Sequence, residues 1–182
     1  MQVAQENFFY FDFLSLDYLL KGNKKQKRVY QLLTSTQLFE TLRDFHPVLV
    51  GTIPIQIDIE SSDIDVLIEA EPTQFFEFAK QHLTQHQQAT FFVKDFQHIP
   101  ACVYQFKLQE FQVEIFAQDL SVTQQYAYRH LIIENKILLT KGEAFRDEII
   151  RLKRQGLKTE PAFAQALGLS GNPYESLLHY PV

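Results

Sequence analysis

The apolar pattern of this chain changes period twice, and that change constrains its architecture more than any single residue does. Up to Pro47 the apolar residues recur three or four apart; from Val48 to about Gln118 they alternate or run in short blocks; after Leu120 helical spacing returns. Helices on both sides of a block of strands describe an α+β protein, a small mixed β-sheet with covering helices and a C-terminal helical tail. The expected divisions are an N-terminal helical segment over 1–46 packed on the core, an α/β core over 47–120 and a helical region over 121–182, together forming one compact unit. A chain of 182 residues is long enough to bury roughly two-thirds of its unfolded surface, so a real core is expected.

In the opening segment Phe8, Phe9, Tyr10, Phe11 and Phe13 form an aromatic cluster, and Leu16, Leu19 and Leu20 recur at helical spacing up to Gly22. A second helix starts near Asn23 with Val29, Leu32 and Leu33 inward. Thr36 reads as the N-cap of a short helix, QLFETLRDF, with Glu40 near the capping-box position. The run VLVG and the segment TIPIQIDIESS come next, and then DIDVLIEA alternates as a strand. That strand turns Asp63, Asp65 and Leu67 to one face and Ile64, Val66 and Ile68 to the other. Pro72 and Thr73 open a helix whose Phe75, Phe76 and Phe78 face the sheet. Strands over TFFVKDF, ACVYQFKL and FQVEIFAQ succeed it, the last two joined as a hairpin by a tight turn at Gln109 and Glu110. The tail carries helices over roughly 122–141, 143–155, 160–167 and 173–179, separated by Gly142, Gly156 and the GLSGNP stretch.

The single cysteine, Cys102, cannot form an internal disulfide, and a reducing, cytoplasmic location is the expectation. No stretch approaches the roughly 18 apolar residues that span a bilayer, so no membrane association is expected. The N-terminus carries an acid where a signal peptide would carry lysine or arginine. A net charge of −5 argues against broad affinity for nucleic acid, while leaving room for one local basic groove.

The chemistry sits in the strand block. Two carboxylates one residue apart on a strand share a face, with Cβ atoms about 7 Å apart. Asp63 and Asp65 therefore reach one site, and their mutual repulsion calls for a hard dication such as Mg²⁺ or Mn²⁺. A third acid, Glu114, interrupts the apolar strand FQVEIFA while Val113 and Ile115 point the other way. Upstream, Gly51 and Thr52 close the strand VLV; glycine lets backbone approach a phosphate, and free N–H groups with a hydroxyl can hold its oxygens.

In this order the pieces resemble the nucleotidyltransferase superfamily, which includes DNA polymerase beta, poly(A) polymerases, antibiotic nucleotidyltransferases and the minimal nucleotidyltransferases of toxin–antitoxin pairs. Its pattern is an apolar strand ending in Gly-Ser, an Asp-x-Asp or Asp-x-Glu on the next strand, and a third acid on a later one. The match covers roughly residues 46–117. With its TIPIQID and LKRQGLKTEPAFA segments the whole chain is also similar to a bacterial domain family of unassigned function within that superfamily. The resemblance implies a catalytic, metal-holding set of Asp63, Asp65 and Glu114, with Glu114 completing a second metal site or acting as general base. It also implies phosphate contacts from Gly51, Thr52 and Ser62, and a basic residue from the first tail helix, Arg129 or Lys136. The substrate would be a nucleoside triphosphate, and the acceptor hydroxyl could belong to a small molecule, a protein or RNA. Two departures stand out: Thr52 replaces the serine, and an IPIQIDI segment replaces a recognisable helix before Asp63.

Other readings stay open. The same carboxylates would serve a metal-dependent phosphohydrolase, or a catalytically inactive nucleotide- or metal-binding module that works through its helical tail. Arg129 and Lys136 equally suit salt bridges to Glu134 or Asp119. Asp58 reads as a turn-capping residue rather than a fourth acid. His46 reads as a loop histidine, and His82, His86 and His98 lack a convincing partner for zinc. The basic runs at 24–28 and 151–158 read as solvated faces, or as the border of a polyanionic acceptor.

Overall fold

The computed structural model describes residues 12–83 and 87–182; Phe8, Phe9, Tyr10, Phe11 and His86 lie outside them. Leu16, Leu19 and Leu20 belong to one short stretch, in which a single 3-10 helix, Asp17–Lys21, buries Leu19 and leaves Leu20 exposed. Helix α1 (Lys24–Ser35) starts at Asn23 by a reciprocal cap. Asn23 Oδ1 accepts the Gln26 N–H at 2.9 Å, while Gln26 Oε1 accepts the Asn23 N–H at 3.0 Å. Its inward stripe is Val29, Leu32 and Leu33, as the spacing requires.

Thr36 does not start the next helix. Its Oγ1 donates to the Leu32 carbonyl at 2.7 Å, so it closes α1, and Gln37 then takes a left-handed φ of 54°. The chain continues into the one-turn helix α2 (Leu38–Thr41) and a 3-10 turn, Arg43–Phe45, with Glu40 paired to Arg43 at 2.7 Å instead of capping.

Five strands, β1 (Val48–Val50), β2 (Ile64–Glu69), β3 (Gln87–Phe96), β4 (Ile99–Leu108) and β5 (Phe111–Gln118), form one mixed sheet in the order β1-β2-β5-β4-β3. Among the described residues only β2 and β5 pair in parallel, and the connection between them carries α3 (Pro72–His82) and the β3–β4 hairpin. Helix α3 packs on β4: Phe75 is fully buried against Tyr104, whose hydroxyl donates to the Leu83 carbonyl at 2.8 Å. Phe76 meets the sheet as expected, against Phe91 of β3, though it stays partly exposed at that edge.

The tail is α4 (Tyr126–Lys141), α5 (Glu143–Arg154), α6 (Thr159–Leu167) and α7 (Pro173–Leu178), with α4 packed on β1. A helix unbroken from 122 does not form, because Gln125 is extended. Its Nε2 donates to the carbonyls of Ile68 and Leu120, both at 2.9 Å, and so ties the tail to the end of β2. Among the described residues no helix is long and apolar enough to cross a membrane.

The link between β1 and β2 shapes the site. Residues 53–57 form no strand, yet Ile53, Ile55 and Ile57 are all buried, so their carbonyls need partners. Those come from two helices. From α1, Gln26 Nε2 donates to the carbonyls of Ile53 and Pro54, both at 3.0 Å, and Lys25 Nζ to that of Ile59 at 2.7 Å. From α5, Arg146 donates to Ile55, and Lys153 Nζ to Ile57 at 2.9 Å. Asp58 pairs with Lys25 at 3.2 Å, a structural role. Gln26→Ala strands two buried carbonyls and opens the cap, so a loss of about 2 kcal/mol is expected, read as a lower urea midpoint at unchanged m.

Candidate active site

The strand register sets two of the three acids side by side. Asp65 on β2 stands directly beside Glu114 on β5 and across from Val50 on β1, so both carboxylates project from one face of neighbouring strands about 4.8 Å apart. The same register sends Val66 and Ile115 into the core on the other face. Glu114 is further oriented by Gln105 of β4, its own register partner, whose Nε2 donates to Glu114 Oε2 at 2.7 Å.

Gly51, at the end of β1, has φ +74°, and a Cβ built there would stand 2.2 Å from Asp65 Oδ2. The residue must be glycine on both counts: the left-handed backbone, and a carboxylate that fills the space a side chain would take. Thr52 Oγ1 donates to Ser62 Oγ at 3.2 Å, and Ser62 Oγ accepts the Ile59 N–H at 2.9 Å. These two hydroxyls therefore close the base of the linking loop.

Burial, then Glu114 and then Asp63, push the Asp65 carboxyl up to about 7, with Lys153 opposing. Asp63 is exposed just before β2, and its carboxyl is raised by burial and by Glu114. The three anions thus feel one another.

A cleft of about 580 Å³ opens over this face. Gly51, Thr52, Asp65 and Glu114 line its sheet side, while Tyr126, His130 and Glu134 of α4, Glu160 of α6 and Tyr174 of α7 line the helical side. Leu67 shares the acids' face and forms part of the lining, buried. Asp63 and Ser62 are not in the lining. Arg129 and Lys136 are not either; they line a separate hollow with Tyr128 and Leu178, and the Arg129 guanidinium lies 5.3 Å from the Tyr126 ring centre.

Two residues of the site escape a reading of the sequence. Lys153 lies in a basic run expected to be a solvated face, yet it is 7% exposed. Burial brings its ammonium down to about 8, while Glu134, Asp58, Asp65 and Glu160 oppose that shift. Its spacing holds the clue, because Ile149, Leu152 and Lys153 make one helical stripe, all buried. Glu134, expected only as a salt-bridge partner, is 3% exposed, and it interrupts the apolar run LIIENKILL much as Glu114 interrupts its strand.

Among the described residues no three His, Cys, Asp or Glu side chains form a ready-made metal cage. The donor set nevertheless fits a hard dication. Burial and then the in-register Glu114 lift Asp65, and Mg²⁺ needs only one or two carboxylates, taking its remaining oxygens from water and phosphates.

The model of the family described as a domain of unknown function, DUF4269, matches residues 31–180. The chain belongs to this family. The match spans the sheet, the cleft and the helical tail together. A comparison with curated proteins finds no match. Among solved structures, the chain is similar to the Cid1 poly(U) polymerase with Mg 3'-dATP bound, at TM-score 0.51 and 14% identity, over 76% of this chain and 45% of that one. It is similar to the GLD-2/RNP-8 complex at TM-score 0.51 and 14% identity, over 83% of this chain and 60% of that one. For the polymerase core of TRAMP, an RNA surveillance complex, the TM-score is 0.51 and the identity 11%, over 88% of this chain and 51% of that one. The α+β fold is thus nucleotidyltransferase-like, and the chain spans about half the length of the structures it matches.

Proposed function

We propose that the protein transfers a nucleotidyl group from a nucleoside triphosphate to the hydroxyl of an acceptor, using Asp63, Asp65 and Glu114 with Mg²⁺ or Mn²⁺. The observation that carries this reading is the in-register pair Asp65 and Glu114 on an open cleft, with Gly51 left bare beneath Asp65. The fold likeness supports it, and the poly(U) polymerase structure in that comparison holds Mg and a nucleotide analogue.

Asp65 and Asp63 hold the dication, which when bound neutralises phosphate charge and eases departure of pyrophosphate. Gly51 lets the triphosphate come close to the backbone, with Thr52 and Ser62 shaping the loop beside it. The acceptor oxygen bonds the α-phosphorus, the bond to pyrophosphate breaks, and the hydroxyl proton passes to Glu114, held in place by Gln105. Lys94 and Lys158, the lysines of the cleft lining, attract the triphosphate from the rim; this phosphate role replaces the one expected of Arg129 and Lys136.

The test is incubation of the full chain with each α-³²P-labelled nucleoside triphosphate, Mg²⁺ or Mn²⁺, and pooled cellular metabolites, RNA or protein. Label transferred to one acceptor pool, with release of pyrophosphate, is the expected result. Label appearing only as free nucleotide would mean a phosphohydrolase, and nucleotide-dependent thermal stabilisation without turnover would mean a binding module.

A further inference from the structure

The helical side of the cleft carries a feature that nucleotidyl transfer alone leaves unexplained. Glu134 is almost wholly buried, it lines the cleft, and its Oε1 has no hydrogen-bond partner. Beside it stands Glu160, whose charge, after burial, is what pushes the Glu134 carboxyl well above the ordinary range. No salt bridge among the described residues joins either acid to a lysine or arginine; Glu160 has only His130 Nδ1, at 3.9 Å. Lys153, the cation that Glu134 feels, donates to the Ile57 carbonyl and forms no salt bridge with Glu134 among the described residues. His130 does not serve either. Its Nε2 donates to the Tyr174 carbonyl at 2.9 Å, and its Nδ1 stands 3.9 Å from Glu160 Oε1, beyond hydrogen-bond reach.

We propose, resting on the transferase reading, that Glu134 and Glu160 bind the ammonium group of the acceptor, which is therefore an amine-bearing alcohol such as an amino sugar. An ammonium brings the positive charge and the N–H donors that these carboxyls lack. The aromatic rings of Tyr126 and Tyr174, which line the same wall, suit the cation and the carbon skeleton next to it. Other occupants fit less well. A phosphate would meet acidic side chains with no lysine or arginine paired to them among the described residues, and a nucleobase would bring donors but no charge. Among the described residues the cleft lining holds five carboxyl groups, those of Asp65, Glu114, Glu134, Glu160 and Glu175, against two lysines. In the transfer the acceptor's hydroxyl oxygen bonds the α-phosphorus, pyrophosphate leaves, and the hydroxyl proton goes to Glu114. The ammonium is unchanged and only holds the acceptor.

Calorimetric titration of the full chain with glucosamine, N-acetylglucosamine and glucose separates charge from ring hydroxyls. Glucosamine is expected to bind at least tenfold more tightly than the other two. Glu134→Gln, which keeps size and removes charge, should erase that preference while Mg²⁺–nucleotide binding persists, and Glu160→Gln, at a more exposed position, should weaken it if the first variant does not fold. Equal binding of glucosamine and N-acetylglucosamine, or none of either, would overturn the proposal; so would a change of nucleotide base preference in Glu134→Gln with the amine preference intact. Nucleotide binding and turnover are measured separately. If they persist while glucosamine fails, only the acceptor assignment falls. If they are absent, the transferase reading falls with it.

Discussion

Asp65→Asn should lower nucleotidyl transfer on the order of 100- to 1,000-fold, the scale of losing one preorganised charge-stabilising group. The amide keeps the shape that fits over Gly51 but carries no charge to hold a dication. The expected loss is in kcat, since pyrophosphate departure is the step that the charge assists. Stability should move the other way. The Asp65 carboxyl sits above its ordinary range, so the folded protein binds protons more readily there than the unfolded chain, and stability contributed at this position falls as pH rises from about 4 through about 7. At neutral pH the variant should therefore melt no lower than the parent, and scanning fluorimetry should show Mg²⁺–nucleotide stabilisation lost from it. Parental turnover in the variant would remove the mechanism.

Gly51→Ala is expected to do comparable damage by another route. Its Cβ would press on Asp65 Oδ2 at 2.2 Å and on Asp65 Cγ at 3.1 Å, so the carboxylate has to leave its place beside Glu114's strand. The backbone, at φ +74°, adds about 1–2 kcal/mol of left-handed strain. Gly142→Ala is the matched control. That glycine has φ +81° with nothing within 4 Å of a built Cβ, so it carries the strain without the collision. Both variants should lose stability in urea, and only Gly51→Ala should lose transfer. Equal activity in the two would show that the close approach to Asp65 has no catalytic consequence.

How much of the fold is legible in the sequence depends on which interactions are local. Period-two alternation is a property of neighbouring residues, so DIDVLIEA and FQVEIFAQ are legible as strands with acids on one face. The pairing that sets Asp65 beside Glu114 joins residues far apart in the chain, and only the observed register supplies it. Local chemistry also misleads. Thr36 has the side chain of an N-cap, yet the same hydroxyl reaches back to Leu32 and ends a helix instead. Lys153 is hidden by its charged neighbours, because a run of lysines and arginines looks solvated until one of them falls on the buried stripe of its helix. The segment TIPIQIDI resists reading for a related reason. Its isoleucines alternate as in a strand, but its carbonyls are taken by side chains from elsewhere, so no strand partner is needed.

That arrangement bears on how the protein matures on the ribosome. Every proposed catalytic acid has been synthesised once β5 is complete, but the loop leading to Asp63 still lacks Arg146 and Lys153, the partners of the Ile55 and Ile57 carbonyls. A nascent chain paused after β5 would expose its acids on an unanchored loop, and competence would come late, when α5 emerges from the exit tunnel.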